Sequence, residues 1–219
     1  EDTLSLHDAL PISSLIFADT QGAYLAGFSA ALASKTGKVA MVGNTNQADL
    51  YQNGFVAGVT ASKKKVTTLI SYVNGSSFLA TKSAMDKGAD VIFVARPGSD
   101  TEVFAAIVAR NTSNASSKSF KQVGLIMIEP DQYLTVSKTT KKYLYASVVK
   151  HVDKAMYDVI AKAVSGQQIL DVLDAKAGIY GHKYTVIGGG VSFTTYLPSL
   201  TAASAQINQA AAQASRISH

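Results

Sequence analysis

Three side chains in this sequence could act on a small polar molecule: Phe78, Glu129 and Lys150. Glu129 directly follows the apolar run at 125–128 (LIMI), where a carboxylate can accept two hydrogen bonds from a vicinal diol. A solvated strand end or a salt bridge is the other reading of the same residue. Phe78 closes the glycine- and serine-rich stretch 74–78 (NGSSF) and offers a flat face for stacking, although a helix residue packed into the core has the same appearance. Lys150 is expected inside an amphipathic helix, from which it could reach a ligand carbonyl or Glu129; an exposed helical lysine fits equally well.

Catalytic and cofactor patterns are missing by comparison. The glycines Gly188 to Gly190 are not followed by the helix that a dinucleotide fingerprint needs, so they read as a loop. The stretch 43–47 (GNTNQ) lacks the lysine of a phosphate-binding loop. His7, His151, His182 and His219 show no metal-ligand spacing, and no nucleophile with a nearby base is evident. No catalytic residue, cofactor or metal is expected, and the chain is not expected to be an enzyme.

These side chains need elements to hold them. Apolar residues recur at helical spacing over 24–35, 48–62, 78–87 and 102–111, and short apolar runs stand at 38–42, 66–73, 90–95 and 123–128. Strands that are apolar throughout, separated by helices, indicate a parallel sheet covered on both faces, so the fold class is doubly wound α/β. Ligands of such sheets sit beyond the carboxyl ends of the strands. The segments there, 43–47, 74–78, 96–100 and 129–132, are rich in Gly, Ser, Asn, Asp and Glu. Turns prefer the same residues, so the coincidence at four strand ends, rather than any one position, argues for a site. Residues 111–118 (NTSNASSK) read as a surface loop, and a long helix is expected over 144–164, followed by a short strand at 191–194 and an alanine- and glutamine-rich terminal helix.

Of 219 residues, 47% are hydrophobic and 16% charged, which is enough apolar material for one or two globular domains. No apolar run approaches the roughly 18 residues of a membrane span. The net charge of +5 comes from dispersed lysines, with only Lys63 to Lys65 and Lys141 to Lys142 adjacent, so a nucleic-acid partner is not expected. The absence of cysteine removes disulfides and thiolate chemistry. Residues 1–12 (EDTLSLHDALPI) resemble a translated sequencing-adapter string, so 1–13 is expected to be a foreign head, with any export signal lost upstream.

Several short elements, in order, resemble one family. They are YLAG at 24–27, KTGKV at 35–39, GFVAG at 54–58, GADVIF at 88–93, Asp131-Gln132, and SVVK at 147–150 with Val152-Asp153. The chain is similar over about 21–193 to the basic membrane protein family of nucleoside-binding lipoproteins. That resemblance implies a type 1 periplasmic-binding-protein fold and an extracytoplasmic receptor anchored to the cell membrane by a lipid. The receptor would deliver nucleosides to the permease of an ABC importer. By position, Phe78 would stack on the base, Glu129 would hold the ribose hydroxyls, Lys150 would contact the ligand and Gly98 would line the cleft. The sequence departs from the family in having Glu129 for an aspartate, Pro130 after it, no aspartate two positions beyond Phe78, and a charged loop at 96–100 (RPGSD) in place of a neutral one.

The fold implied is bilobed, with 14–135 forming the second lobe and 136–219 a crossover helix towards an incomplete first lobe, then return strands and a helix. That helix should show an apolar face without its proper cover. A sugar receptor or the effector domain of a regulator shares this architecture, and an α/β enzyme acting on nucleosides would need clustered aspartates or an activated nucleophile.

Overall fold

The computed structural model describes residues 14–45, 48–98, 100–167, 171–174 and 179–217, so the expectation for 1–13 lies outside the described residues. The strands are β1 (Ser14–Phe17), β2 (Lys38–Gly43), β3 (Thr67–Tyr72), β4 (Val91–Ala95), β5 (Gly124–Ile128), β6 (Leu144–Lys150), β7 (Asp171–Asp174), β8 (Ile179–Tyr184) and β9 (Val191–Thr195). The helices are α1 (Asp19–Ala33), α2 (Ala48–Ala61), α3 (Ser77–Asp86), α4 (Thr101–Ser113), α5 (Lys138–Lys141), α6 (Val152–Val164), α7 (Pro198–Ala202) and α8 (Ser204–Ala214).

Six strands form the main sheet in the order β3-β2-β4-β5-β6-β9, all parallel except β9, which runs antiparallel to β6. Alternation along each central strand explains why these strands are apolar at every position. Val39, Met41, Val91, Phe93, Ile126 and Ile128 face the layer of α1, α2 and α8, whereas Ala40, Val42, Ile92, Val94, Leu125 and Met127 face α3 and α4. With both faces covered, no position on β4 or β5 reaches water.

Two of the short sequence elements prove to be packing devices. α1 and α2 cross at Gly27, Gly54 and Gly58, where an added Cβ would fall 2.0 Å from the Phe55 carbonyl oxygen, 2.3 Å from that of Thr20 and 1.9 Å from that of Tyr24. Only glycine lets the two backbones touch there. Buried Asp90 accepts hydrogen bonds from the Ser34 hydroxyl (2.6 Å) and from the Lys35 and Thr36 backbone N–H groups (2.6 and 2.9 Å). It thereby fastens the turn after α1 to the start of β4.

A second sheet, β1-β8-β7, pairs β1 parallel to β8 and β7 antiparallel to it. Three connections run between the two sheets, at Ala18, at His151 and at residues 185–190. They lie side by side: the Ala18 N–H donates to the Tyr184 carbonyl (2.9 Å) and the His151 N–H to that of Gly190 (2.9 Å). The rings of Phe17 and Tyr184 stack at 5.3 Å. Gly188 and Gly189 sit in the turn of the third connection, and no helix follows them directly.

One expectation is corrected. Residues 144–164 are not one helix but strand β6 and helix α6, separated at His151. The stretch 144–148 (LYASV) is buried at each position between β5 and β9, and a short, mostly apolar run of this kind cannot be told from a buried helix segment by periodicity. Lys150 therefore ends a strand of the main sheet, and the strands β6 and β9, beyond residue 135, belong to that sheet. α6 leaves it with Val152, Met156, Ile160 and Val164, spaced one turn apart, exposed on its surface.

Candidate ligand-binding site

The carboxyl ends of β4, β5 and β6 are neighbours, and charged side chains converge beyond them. Lys150 Nζ lies 2.9 Å from Glu129 Oε1 and 2.9 Å from Asp19 Oδ1, at the first residue of α1. The three side chains are 12%, 25% and 16% exposed respectively, so the lysine is largely withdrawn from water and Glu129 is the most accessible of the three. Burial alone would lower the lysine pKa; hydrogen bonds and the negative charge of Asp19, with a further hydrogen bond to Glu129, outweigh it and hold Lys150 above its ordinary range. Phe17 places its ring 5.9 Å from the same ammonium. Tyr51 of α2 is buried beneath the cluster, and burial, reinforced by the Asp19 carboxylate, pushes its hydroxyl up to about 12.

Gly98 adjoins this cluster through its backbone, its N–H donating to the Glu129 carbonyl at 2.7 Å. Its φ of +99° is a conformation that side-chain-bearing residues rarely adopt, although the space around it is open. Gly98 lines a polar hollow of about 250 Å³ with Gly75, Ser77, Arg96, Asp100 and Glu102. Asp100 caps α4 by accepting from the Val103 N–H (3.2 Å), and it also takes hydrogen bonds from the Ser77 hydroxyl (2.7 Å) and Arg96 Nη1 (2.6 Å). Glu102 accepts from the Phe78 N–H (3.1 Å) and the Ser76 hydroxyl (2.8 Å), which hold its carboxyl below the ordinary range.

The structure thus brings together Glu129, Lys150 and Gly98, and it does not bring Phe78 to them. Phe78 is the second residue of α3, packs against the core on the α3–α4 side, and borders a separate groove of about 180 Å³ with Lys82, Ala106 and Arg110. Sequence reasoning misses Asp19, Tyr51 and Phe17. The signal for Asp19 is an acidic residue two positions beyond the apolar run LIF, at the head of a helix; nothing in the sequence marks Tyr51.

A family model described as ABC transporter substrate-binding protein PnrA-like (Bmp) matches residues 5–203. The chain belongs to this family. The ABC transporter nucleoside-binding protein BmpA of Lactococcus lactis subsp. cremoris is 28% identical over 175 residues, which are 74% of this chain and 49% of that protein. The CD4+ T-cell-stimulating antigen of Listeria monocytogenes is 30% identical over 76% of this chain and 48% of its own length. The chain spans about half the length of the curated relatives it matches. Among solved structures, a transcriptional activator of the comK gene from Bacillus halodurans covers 92% of this chain and 64% of its own at 20% identity, with a TM-score of 0.65. An ABC transporter periplasmic solute binding protein from Actinobacillus succinogenes with bound D-allose covers 88% and 64% at 14% identity, with a TM-score of 0.56. At these identities the likeness is one of fold, the α/β architecture of type 1 periplasmic-binding proteins. Among the described residues no helix is long and apolar enough to cross a membrane.

Proposed function

We propose that this chain is the nucleoside-holding part of an extracytoplasmic solute-binding protein that serves an ABC importer and is not an enzyme. The observation that carries the reading is the Lys150–Glu129 pair at the ends of β6 and β5, with Lys150 also neutralised by Asp19. A carboxylate fixed in this way accepts from both hydroxyls of a ribose, while the ammonium donates to a ring or hydroxyl oxygen. Gly98, tied to the Glu129 backbone, lines the same wall. Family membership supports the transport role, and the name of the lactococcal relative supports the nucleoside.

The three connections between the sheets are the natural hinge of a bilobed receptor that closes on its ligand. In this reading, residues 19–135 and the strands β6 and β9 that return to the main sheet make one lobe, whereas β1, on the far side of the Ala18 connection, lies with β7 and β8 in the second sheet, towards which α6 runs. The remaining half of the relatives' length would cover the exposed apolar face of α6 and supply the opposite cleft wall. The whole protein would be held at the outer face of the membrane by a lipid anchor and would hand its ligand to a permease. Phe78, on its separate groove, would reach a base only if α3 shifted during closure.

A free sugar is the second reading, because the Glu129–Lys150 pair recognises vicinal hydroxyls whatever they are attached to. Isothermal titration against five ribonucleosides, several sugars and amino acids separates the two. Nucleosides should bind this chain no tighter than about millimolar, roughly 4 kcal/mol, since one wall gives up the gain of full enclosure. Glu129→Ala should weaken them at least about tenfold by removing the charge-assisted acceptor of the diol. If an amino acid binds while every nucleoside fails, the reading is wrong.

A further inference from the structure

The proposed ribose site leaves the neighbouring strand end unexplained. β4, β5 and β6 are consecutive in the sheet, with Val94 opposite Met127 and Ile128 opposite Val148. Two residues further along, Arg96 therefore stands level with Glu129, and Lys150 lies on the next strand. Two strand spacings amount to about 10 Å, comparable to the distance from the hydroxyls of a ribose to the far edge of an attached purine. A ribose over β5 and β6 would accordingly place its base over β4, at the hollow that Arg96 lines with Gly98, Asp100 and Ser77.

Arg96 has donors to spare there. One of its terminal nitrogens, Nη1, donates to Asp100, and the guanidinium is 30% exposed with no other protein acceptor among the described residues. Asp100 does not depend on it, since the Ser77 hydroxyl and the Val103 N–H also satisfy that carboxylate. A guanidinium only donates, in a rigid fork. The matching acceptor pair on a nucleobase is the O6 and N7 edge of a 6-oxopurine. Adenine offers N7 beside an amino donor, and the pyrimidines offer at most one acceptor on the corresponding edge. The surroundings disfavour a phosphate: Asp19, Asp100, Glu102 and Glu129 outnumber the cations Arg96 and Lys150.

We infer that Arg96 is a specificity-determining residue, which selects a 6-oxopurine nucleoside such as inosine or guanosine over adenosine and the pyrimidine nucleosides. The inference rests on the nucleoside reading above and adds to it the identity of the base.

The test titrates inosine, adenosine and ribose into the full 219-residue chain and into its Arg96→Met and Arg96→Lys variants, following backbone amide NMR signals so that weak binding is read directly. Unchanged signals away from residues 96–102 confirm that each variant is folded. The parent chain should bind inosine about tenfold more tightly than adenosine, the selectivity expected of one bidentate pair. In Arg96→Met the two should come within about twofold, mainly through loss of inosine affinity, while ribose binds as before. Arg96→Lys, which keeps the charge without the fork, should also lose most of the preference. Equal affinities for inosine and adenosine in the parent, or a preference that survives Arg96→Met, would overturn the inference and leave the nucleoside reading intact. Failure of inosine, adenosine and ribose alike would remove the nucleoside reading and this inference with it.

Discussion

Replacing Gly58 by alanine tests whether the α1–α2 crossing is built on direct backbone contact. The new methyl would lie 1.9 Å from the Tyr24 carbonyl oxygen, 2.8 Å from its carbon and 2.9 Å from the Phe28 nitrogen, against the 3.4–4 Å of ordinary contact. All three obstacles are main chain, so no rotamer change relieves them, and the helices must part by about 1.5 Å to restore normal packing. Around the crossing lie buried Tyr24, Leu25, Phe55 and Val59, whose contacts would loosen together. Helix propensity works the other way, favouring alanine over glycine by about 1 kcal/mol in a helix interior. Overpacking against a rigid neighbour costs about 1–3 kcal/mol and occasionally more. With backbone on both sides the upper end applies, leaving a net loss of about 2 kcal/mol. Urea unfolding at pH 7 should show that loss as a lower midpoint with an unchanged slope. A Gly58→Ala chain as stable as the parent, or more so, would mean that propensity wins and that the helices are not in backbone contact.

Lys150→Met leaves the Asp19 and Glu129 carboxylates together without their cation. It should cost about 2–3 kcal/mol at pH 7, less than for a fully buried pair, read as a lower midpoint in urea unfolding. Asp90→Ala strands the Ser34 hydroxyl and the Lys35 and Thr36 N–H groups, and should lower stability by about 2–3 kcal/mol, with faster amide exchange at those two residues. Lys150 and Tyr51 both have folded pKa values above their ordinary 10.5 and 10.0, so the folded chain holds these protons more tightly than the unfolded one. Their contribution is complete below about pH 10 and is lost as pH rises beyond it; denaturation midpoints should fall steeply above pH 10, and less so in Tyr51→Phe.

The sheet was legible where burial is uniform. β2, β4 and β5 are apolar at consecutive positions because helices cover both faces, and their limits follow from the glycines and polar residues around them. The same uniformity hid β6, whose apolar stretch runs with only one break into the amphipathic α6, so that strand and helix merged into one periodic pattern. β1 escaped notice because it is four residues long and adjoins 1–13. Within the candidate site, Glu129 is visible as a carboxylate at a strand end, and Lys150, expected on a helix, ends strand β6 and pairs with Glu129. Its contact with Asp19 spans 131 positions and depends on how the connections between the sheets align, which no local pattern encodes. Phe78 differs: its loop context suggests a stacking role, and as the second residue of α3 it borders the groove on the α3–α4 side, apart from Glu129 and Lys150. The short elements behind the family resemblance are largely structural. GFVAG supplies the close helix crossing, and the aspartate of GADVIF holds the turn of KTGKV.

The proposed function requires that a ribose-bearing ligand meet Gly98, Glu129 and Lys150. Mapping amide shifts of the ¹⁵N-labelled chain at saturating inosine, with Glu129→Ala alongside, measures this most directly. The largest changes should fall at Gly98, Glu129, Lys150 and His151, and at the same inosine concentration they should shrink to about half or less in Glu129→Ala. Changes centred instead on Phe78, Lys82 and Arg110 in the α3–α4 groove, or a map unaltered by Glu129→Ala, would contradict it.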